Sequence, residues 1–195
     1  MTAEAEQPTP DADASLTIDA VSIDAVMIDA VTVSDESGSS DDATSIDSDS
    51  LARLAVFLLP RLRLHPMCEL SITIVDAQRM SELHVEWMDE PGPTDVLSFP
   101  MDELRSAPEG VDPEPGMLGD IVLCPEVAAA QAVDRGRSLD EELAFLVTHG
   151  MLHLIGYDHG TTEEVEEMFS LQDELLAAWL ASEQRADVAG EGERP

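Results

Sequence analysis

The chain has no lysine, two cysteines and one tyrosine, and only 4% of its 195 residues are aromatic. All nine of its basic residues are arginine, set against 42 Asp and Glu for a net charge of −33. So few cations exclude a protein that grips polyanions through a broad basic field. Two cysteines, Cys68 and Cys124, exclude a disulfide framework and a four-thiolate zinc site. Cys124 reads as buried packing, and Cys68 is not at ligand spacing from any candidate histidine. No apolar run reaches the ~20 residues of a membrane-spanning helix. The stretch MTAEAEQPTP has neither the basic nor the apolar region of a secretory signal. These absences lead us to expect a soluble, cytoplasmic, acidic protein without a membrane partner.

What is present divides the chain unevenly. Residues 1–50 hold neither a basic nor an aromatic residue. Like-charge repulsion with little apolar bulk favours disorder, so residues 1–27 read as an acidic, disordered extension. The motif Ile-Asp-Ala-Val recurs at Ile18 and Ile23 within it and again at Ile28, a period that fits no solenoid. The third copy continues into an alternating stretch to Asp35, read as a first strand. Residues 28–181 then read as one domain and 182–195 as a disordered tail.

Within the domain, Ser48 or Ser50 opens an apolar helix that Pro60 should kink or end. Leu70–Val75 alternates as a strand, Ala77–Met88 reads as a helix, and Thr94–Phe99 as a short strand. Residues 101–117 form a proline- and glycine-rich loop, and Gly119–Cys124 a buried strand. Pro125 opens a helix, where proline is well tolerated. Ser138 with Glu141, and Thr161 with Glu164, are capping boxes. They start helices reaching about Ile155 and about Leu180. Such interleaving predicts an α+β, or mixed α/β, single domain of about four strands and about five helices.

The candidate metal site is the segment His149-Gly-Met-Leu-His153-Leu-Ile-Gly156-Tyr-Asp-His159. Two histidines four apart share one helix face, one turn from each other. Gly156 can end the helix in a left-handed conformation and bring His159 back as a third nitrogen donor. Three neutral imidazoles suit one Zn2+ per chain and leave a tetrahedral position open for water. Water in that position drops to a pKa of ~7 and becomes a hydrolytic nucleophile. The spacing matches the metzincin peptidases except at Gly150, where they carry the general-base glutamate. Losing such a proton shuttle costs ~10²–10⁴-fold, and phosphoryl chemistry, which depends more on positioning and charge stabilisation, tolerates that loss better.

The block from His149 to His159, with Pro93-Thr-Asp-Val-Leu-Ser-Phe-Pro100 and Leu118-Gly-Asp-Ile-Val-Leu-Cys124, closely resembles the YbeY family of endoribonucleases, the ribosomal RNA maturation factors. The resemblance covers roughly residues 28–180. It implies a zinc-dependent, single-strand-specific endoribonuclease acting in 3′-end maturation of small-subunit (16S) ribosomal RNA and in ribosome quality control. The fold it implies is a single α+β domain with a small mixed sheet and a metal site in a cleft. Its partners would be ribosomal RNA, the small ribosomal subunit and ribosome-associated proteins. The family's metal ligands carry over to His149, His153 and His159. One departure is Met88, which stands where many members have an arginine. The alternatives are a metallopeptidase-like or other zinc hydrolase, and a non-catalytic assembly factor with a structural zinc.

No general acid or base can be named from the residues. Asp120 and Asp158 are candidates to support the metal ligands from behind. Arg135 and Arg137, just before the metal-bearing helix, are candidates for substrate phosphate. Tyr157 reads as packing, Thr94, Asp95 and Ser98 as ordinary strand alternation, and His65 and His84 as structural or surface residues.

Overall fold

A computed structural model describes residues 30–38 and 46–191. The expected extension 1–27 and the last four residues lie outside that range. The elements in chain order are β1 (Val31–Asp35), α1 (Ser48–Arg61), β2 (Glu69–Ile74), α2 (Ala77–Met88), β3 (Val96–Pro100), β4 (Met117–Leu123), α3 (Pro125–Arg135), α4 (Leu139–Leu154) and α5 (Thr162–Glu191). The four strands form one mixed sheet in the order β1-β2-β4-β3. β1 and β4 flank β2 in parallel, and β3 runs antiparallel to β4. This is the α+β class expected, with five helices among the described residues.

Local chemistry accounts for most boundaries. Asp47 caps α1 through the Ser50 amide, and Pro60 falls in its last turn, so the helix closes at Arg61. Asp76 caps α2, which ends at Asp89 in a left-handed conformation (φ 57°) before Pro91 is reached. Both sides of the Ser138–Glu141 capping box form. Thr161 and Glu164 likewise exchange their hydrogen bonds, at 2.8 Å and 3.3 Å. One end departs from expectation: α5 does not stop near Leu180 but continues to Glu191. Residues 182–191 are therefore helix, where the sequence reading had a disordered tail. The stretch Ala181–Ala189 contains no proline or glycine and is mostly made of good helix formers.

The sheet has two unequal faces. Leu70, Ile72, Ile74, Ile121 and Leu123 join Leu54 and Leu58 of α1, Leu146 and Met151 of α4 and Met168 and Trp179 of α5 in the main core. On the other face a smaller cluster of Val75, Met80, Leu97, Val122 and Cys124 is covered by α2. α4 is buried nearly all round, from Leu143 to Leu154, as a helix sandwiched between a sheet and another helix must be. It meets the sheet at Gly150, where an added Cβ would lie 2.9 Å from Ser98 Oγ and 3.0 Å from Ile121 Cδ1. This close crossing fixes the rotation of α4 about its axis, and with it the direction in which His149 and His153 project. Among the described residues no helix is long and apolar enough to cross a membrane.

Candidate metal centre

His149 and His153 project from the last two turns of α4 toward α5. Each ring is held from behind. His149 Nδ1 lies 3.1 Å from Gln172 Oε1. The Gln172 amide is oriented by its own Nε2–H, which donates to the Phe145 carbonyl at 3.4 Å. Gln172 thus presents an acceptor, so the His149 proton is assigned to Nδ1. His153 Nδ1 donates in the same way to the Tyr157 carbonyl at 3.0 Å. Both Nε2 atoms are therefore unprotonated, and they face each other at 3.0 Å. Two lone pairs aimed at one point repel unless a cation lies between them, and this donor set fits a metal ion.

The third imidazole comes from the loop after α4. The Tyr157 amide donates to the Leu152 carbonyl at 3.0 Å, closing the helix end. Gly156 takes a φ of +89°, a conformation that costs a side chain dearly. The turn is completed by Asp158, whose Oδ1 accepts the His159 amide at 2.8 Å. His159 then packs with ring centroids 5.5 Å from His149 and 5.0 Å from His153. One ligand atom from each of the three residues lies within 4.8 Å of the others. Phe145 stacks on His149 at 6.1 Å, and Phe169 flanks both His149 and His159.

Burial pushes the His149 imidazole below its ordinary pKa, against the opposing effect of its hydrogen bond to Gln172. His153 is also lowered, first by burial and then by the neighbouring His149 and His159. Both shifts favour the neutral imidazole, the form that ligates metals.

The other candidates are placed less uniformly. Ile121 faces α4, so strand alternation turns its neighbour Asp120 to the opposite face of the sheet. There Asp120 borders a separate cavity with Ser71, Met67 and Met117, and the structure does not bring it to the imidazoles. Asp158 shares a cleft with His153, but its carboxylate holds the backbone of His159 and no ring. Arg135 and Arg137 both pair with Glu142, which is fully buried. Their guanidinium groups lie over Phe145, 5.5 Å and 4.8 Å from its centroid. Much of their charge is spent on Glu142. Met88 ends α2 with half its surface exposed.

The remaining sequence readings find structural surroundings. Tyr157 packs its side chain against the main core, and it is its carbonyl that serves the site. Asp95 accepts from Thr94 Oγ1 and the Val96 amide. His65 accepts the Met67 amide and His84 bonds the Gly92 carbonyl. Cys68 and Cys124 are fully buried, and burial raises both thiols above their ordinary pKa.

Two contributors escaped the sequence reading. Gln172 falls on the buried stripe Met168, Gln172, Leu175 and Trp179 of α5. A lone amide in an otherwise apolar stripe was the signal for it, because a buried amide requires partners. Arg105 lies in the loop expected to be irregular, which offers no periodicity to read. Its guanidinium rests against Gly156, where a Cβ would lie 2.6 Å from Cζ.

Comparison with known proteins places this geometry in a family. Residues 37–180 match the family model described as Endoribonuclease YbeY. A curated relative from Thermobifida fusca, named Endoribonuclease YbeY, is 58% identical over 135 residues, covering 69% of this chain and 87% of that protein. One of the same name from Nocardia farcinica is 52% identical, covering 73% and 80%. The solution structure of TM1509 from Thermotoga maritima superposes with a TM-score of 0.53 at 25% identity, covering 80% of this chain and 93% of that one. The chain belongs to the YbeY endoribonuclease family.

Proposed function

We propose that residues 28–181 form a zinc-dependent, single-strand-specific endoribonuclease that acts in the cytoplasm on the 3′ end of small-subunit ribosomal RNA and in ribosome quality control. The observation that carries the metal part is the pair of Nε2 atoms facing each other at 3.0 Å, with each Nδ1 opposite an acceptor and His159 within reach. His149, His153 and His159 would hold the ion. Three nitrogen donors, with no fourth protein donor in the cluster among the described residues, suit zinc at a catalytic site, where one position stays open. When bound, such an ion supplies Lewis acidity toward a phosphodiester oxygen and acidifies a water molecule.

The chain's own residues do the rest. Gln172 and the Tyr157 carbonyl hold two imidazoles in the ligating tautomer. Phe145 and Phe169 restrict the rings to one orientation. His159 is exposed, so the cluster opens to solvent on the side where a strand of RNA can enter. A peptidase-like general base is opposed by packing, because a side chain at Gly150 would point into Ser98 and Ile121 of the sheet. Arg135 and Arg137 retain one positive charge in excess of Glu142 and border the approach past Phe145.

Residues 51–181 carry seven arginines against 25 acids, so free RNA is repelled beyond the ~8 Å Debye length of physiological salt. This supports delivery of the substrate by a ribosomal particle. The test is metal analysis coupled to cleavage of single-stranded RNA by wild type and His153→Ala. Wild type should carry one zinc per chain and cleave, faster when ribosomal particles are present, and the variant should lose both properties. A metal-free wild type that cleaves equally well would overturn the metal reading. Equal rates with and without particles would overturn the delivery.

A further inference from the structure

We infer that Arg105 is the substrate-binding residue that grips an RNA phosphate next to the metal centre; the inference rests on the endoribonuclease reading above. Arg105 lines one cavity of about 360 Å³ together with His153, Gly156, Tyr157 and Asp158. Its Nη1 donates to the carbonyls of Leu104 (2.9 Å) and Glu103 (3.2 Å), which anchors the side chain without neutralising it. Arg53, Arg79, Arg135 and Arg137 are all committed to carboxylates. Among the described residues Arg105 makes no ion pair, and it borders both this cavity and a neighbouring one lined by Asp158, Glu164 and Glu167. Nε and Nη2 remain available, and a guanidinium with two free donors matches a phosphate.

Packing reinforces the placement. Gly156 lets the loop turn with positive φ, and a Cβ on it would lie 2.6 Å from Arg105 Cζ, 2.8 Å from Nε and 2.9 Å from Nη2. The residue that sends the chain back toward His159 is thus also the residue that makes room for the guanidinium. The arginine and the third imidazole are positioned by one turn. Two carboxylates border the same cavity, Glu103 and Asp158. Asp158 is turned to the His159 amide, and both acids raise the cost of a misplaced phosphate. In a chain this acidic, a guanidinium without an ion pair beside the three imidazoles supplies a local positive focus for an RNA backbone.

The test uses the full-length zinc-loaded protein and a fluorescent single-stranded oligoribonucleotide. Binding and cleavage are followed across a salt titration for wild type, Arg105→Gln, Arg105→Lys and Arg79→Gln. Loss of one phosphate contact should lower the log–log salt slope of binding by ~0.7 and weaken binding ~10-fold in Arg105→Gln. KM should rise with little change in kcat, and zinc content should match wild type. Arg105→Lys should keep the salt slope and recover part of the affinity, because the charge stays and the fork is lost. Arg79→Gln should behave as wild type. An Arg105→Gln protein with unaltered slope and KM overturns the inference. Wild type that binds the oligonucleotide but cleaves no RNA overturns the endoribonuclease reading instead, and the salt slopes still decide the role of Arg105.

Discussion

The two halves of the candidate centre are built differently. His149 and His153 stand on a helix buried nearly all round, with each Nδ1 fixed by a named acceptor. His159 stands on an exposed loop, and what fixes it is backbone: a left-handed glycine, the Leu152–Tyr157 closure and the Asp158 side chain on its own amide. The helix half depends on packing, which costs several kcal/mol to disturb. The loop half depends on a few local hydrogen bonds of about 1 kcal/mol each. A packed pair plus a third donor on a loop is a site that could hold an ion with its first two ligands already in place.

Substitutions can break this comparison from either side. Removing the loop donor by His159→Ala should leave the helix pair intact and abolish tight binding. Cleavage should fall on the order of 10³-fold, the equivalent of several kcal/mol of charge stabilisation. Circular dichroism should be unchanged. On the helix side, Gln172→Leu keeps the volume but removes the acceptor for His149 Nδ1. Loss of such an orienting partner typically costs 10–100-fold in metal affinity, measurable by competition with a chelator. If affinity is unchanged, the amide is packing only.

Smaller effects should follow from the turn. Gly156→Ala forces a side chain into positive φ against Arg105, at about 1–3 kcal/mol. The cost should appear as faster hydrogen exchange at residues 156–161 ahead of the α4 core. Uniform destabilisation of α4 and the loop together would show that the two halves are not separable. Asp158→Ala removes one side-chain-to-backbone hydrogen bond, for about 1 kcal/mol. It should lower metal affinity by several-fold at most, with global stability close to wild type.

Much of this architecture was legible in the residues because it rests on local chemistry. The Ser138 and Thr161 boxes, Pro125 and Pro60 mark helix ends through donors that need partners, and the structure places those ends within a residue or so. The His149–His153–His159 pattern was legible for the same reason: helix geometry and one glycine bring the rings together. Less could be read where long-range packing decides. Nothing local tells that Arg135 and Arg137 are claimed by a buried Glu142, or that Asp120 faces away from α4. Arg105 reaches the cleft only because the β3–β4 loop folds back onto Gly156, a contact between segments about 50 residues apart. The end of α5 lies beyond the expected Leu180 because Ala181–Ala189 contains no helix breaker.

X-ray absorption at the zinc edge of the zinc-loaded protein tests the central claim most directly. The spectrum should show one ion per chain bound by three imidazole nitrogens at ~2.0–2.1 Å with one further light atom, and only two imidazoles in His159→Ala. A shell containing sulfur, or three imidazoles persisting in that variant, would contradict it.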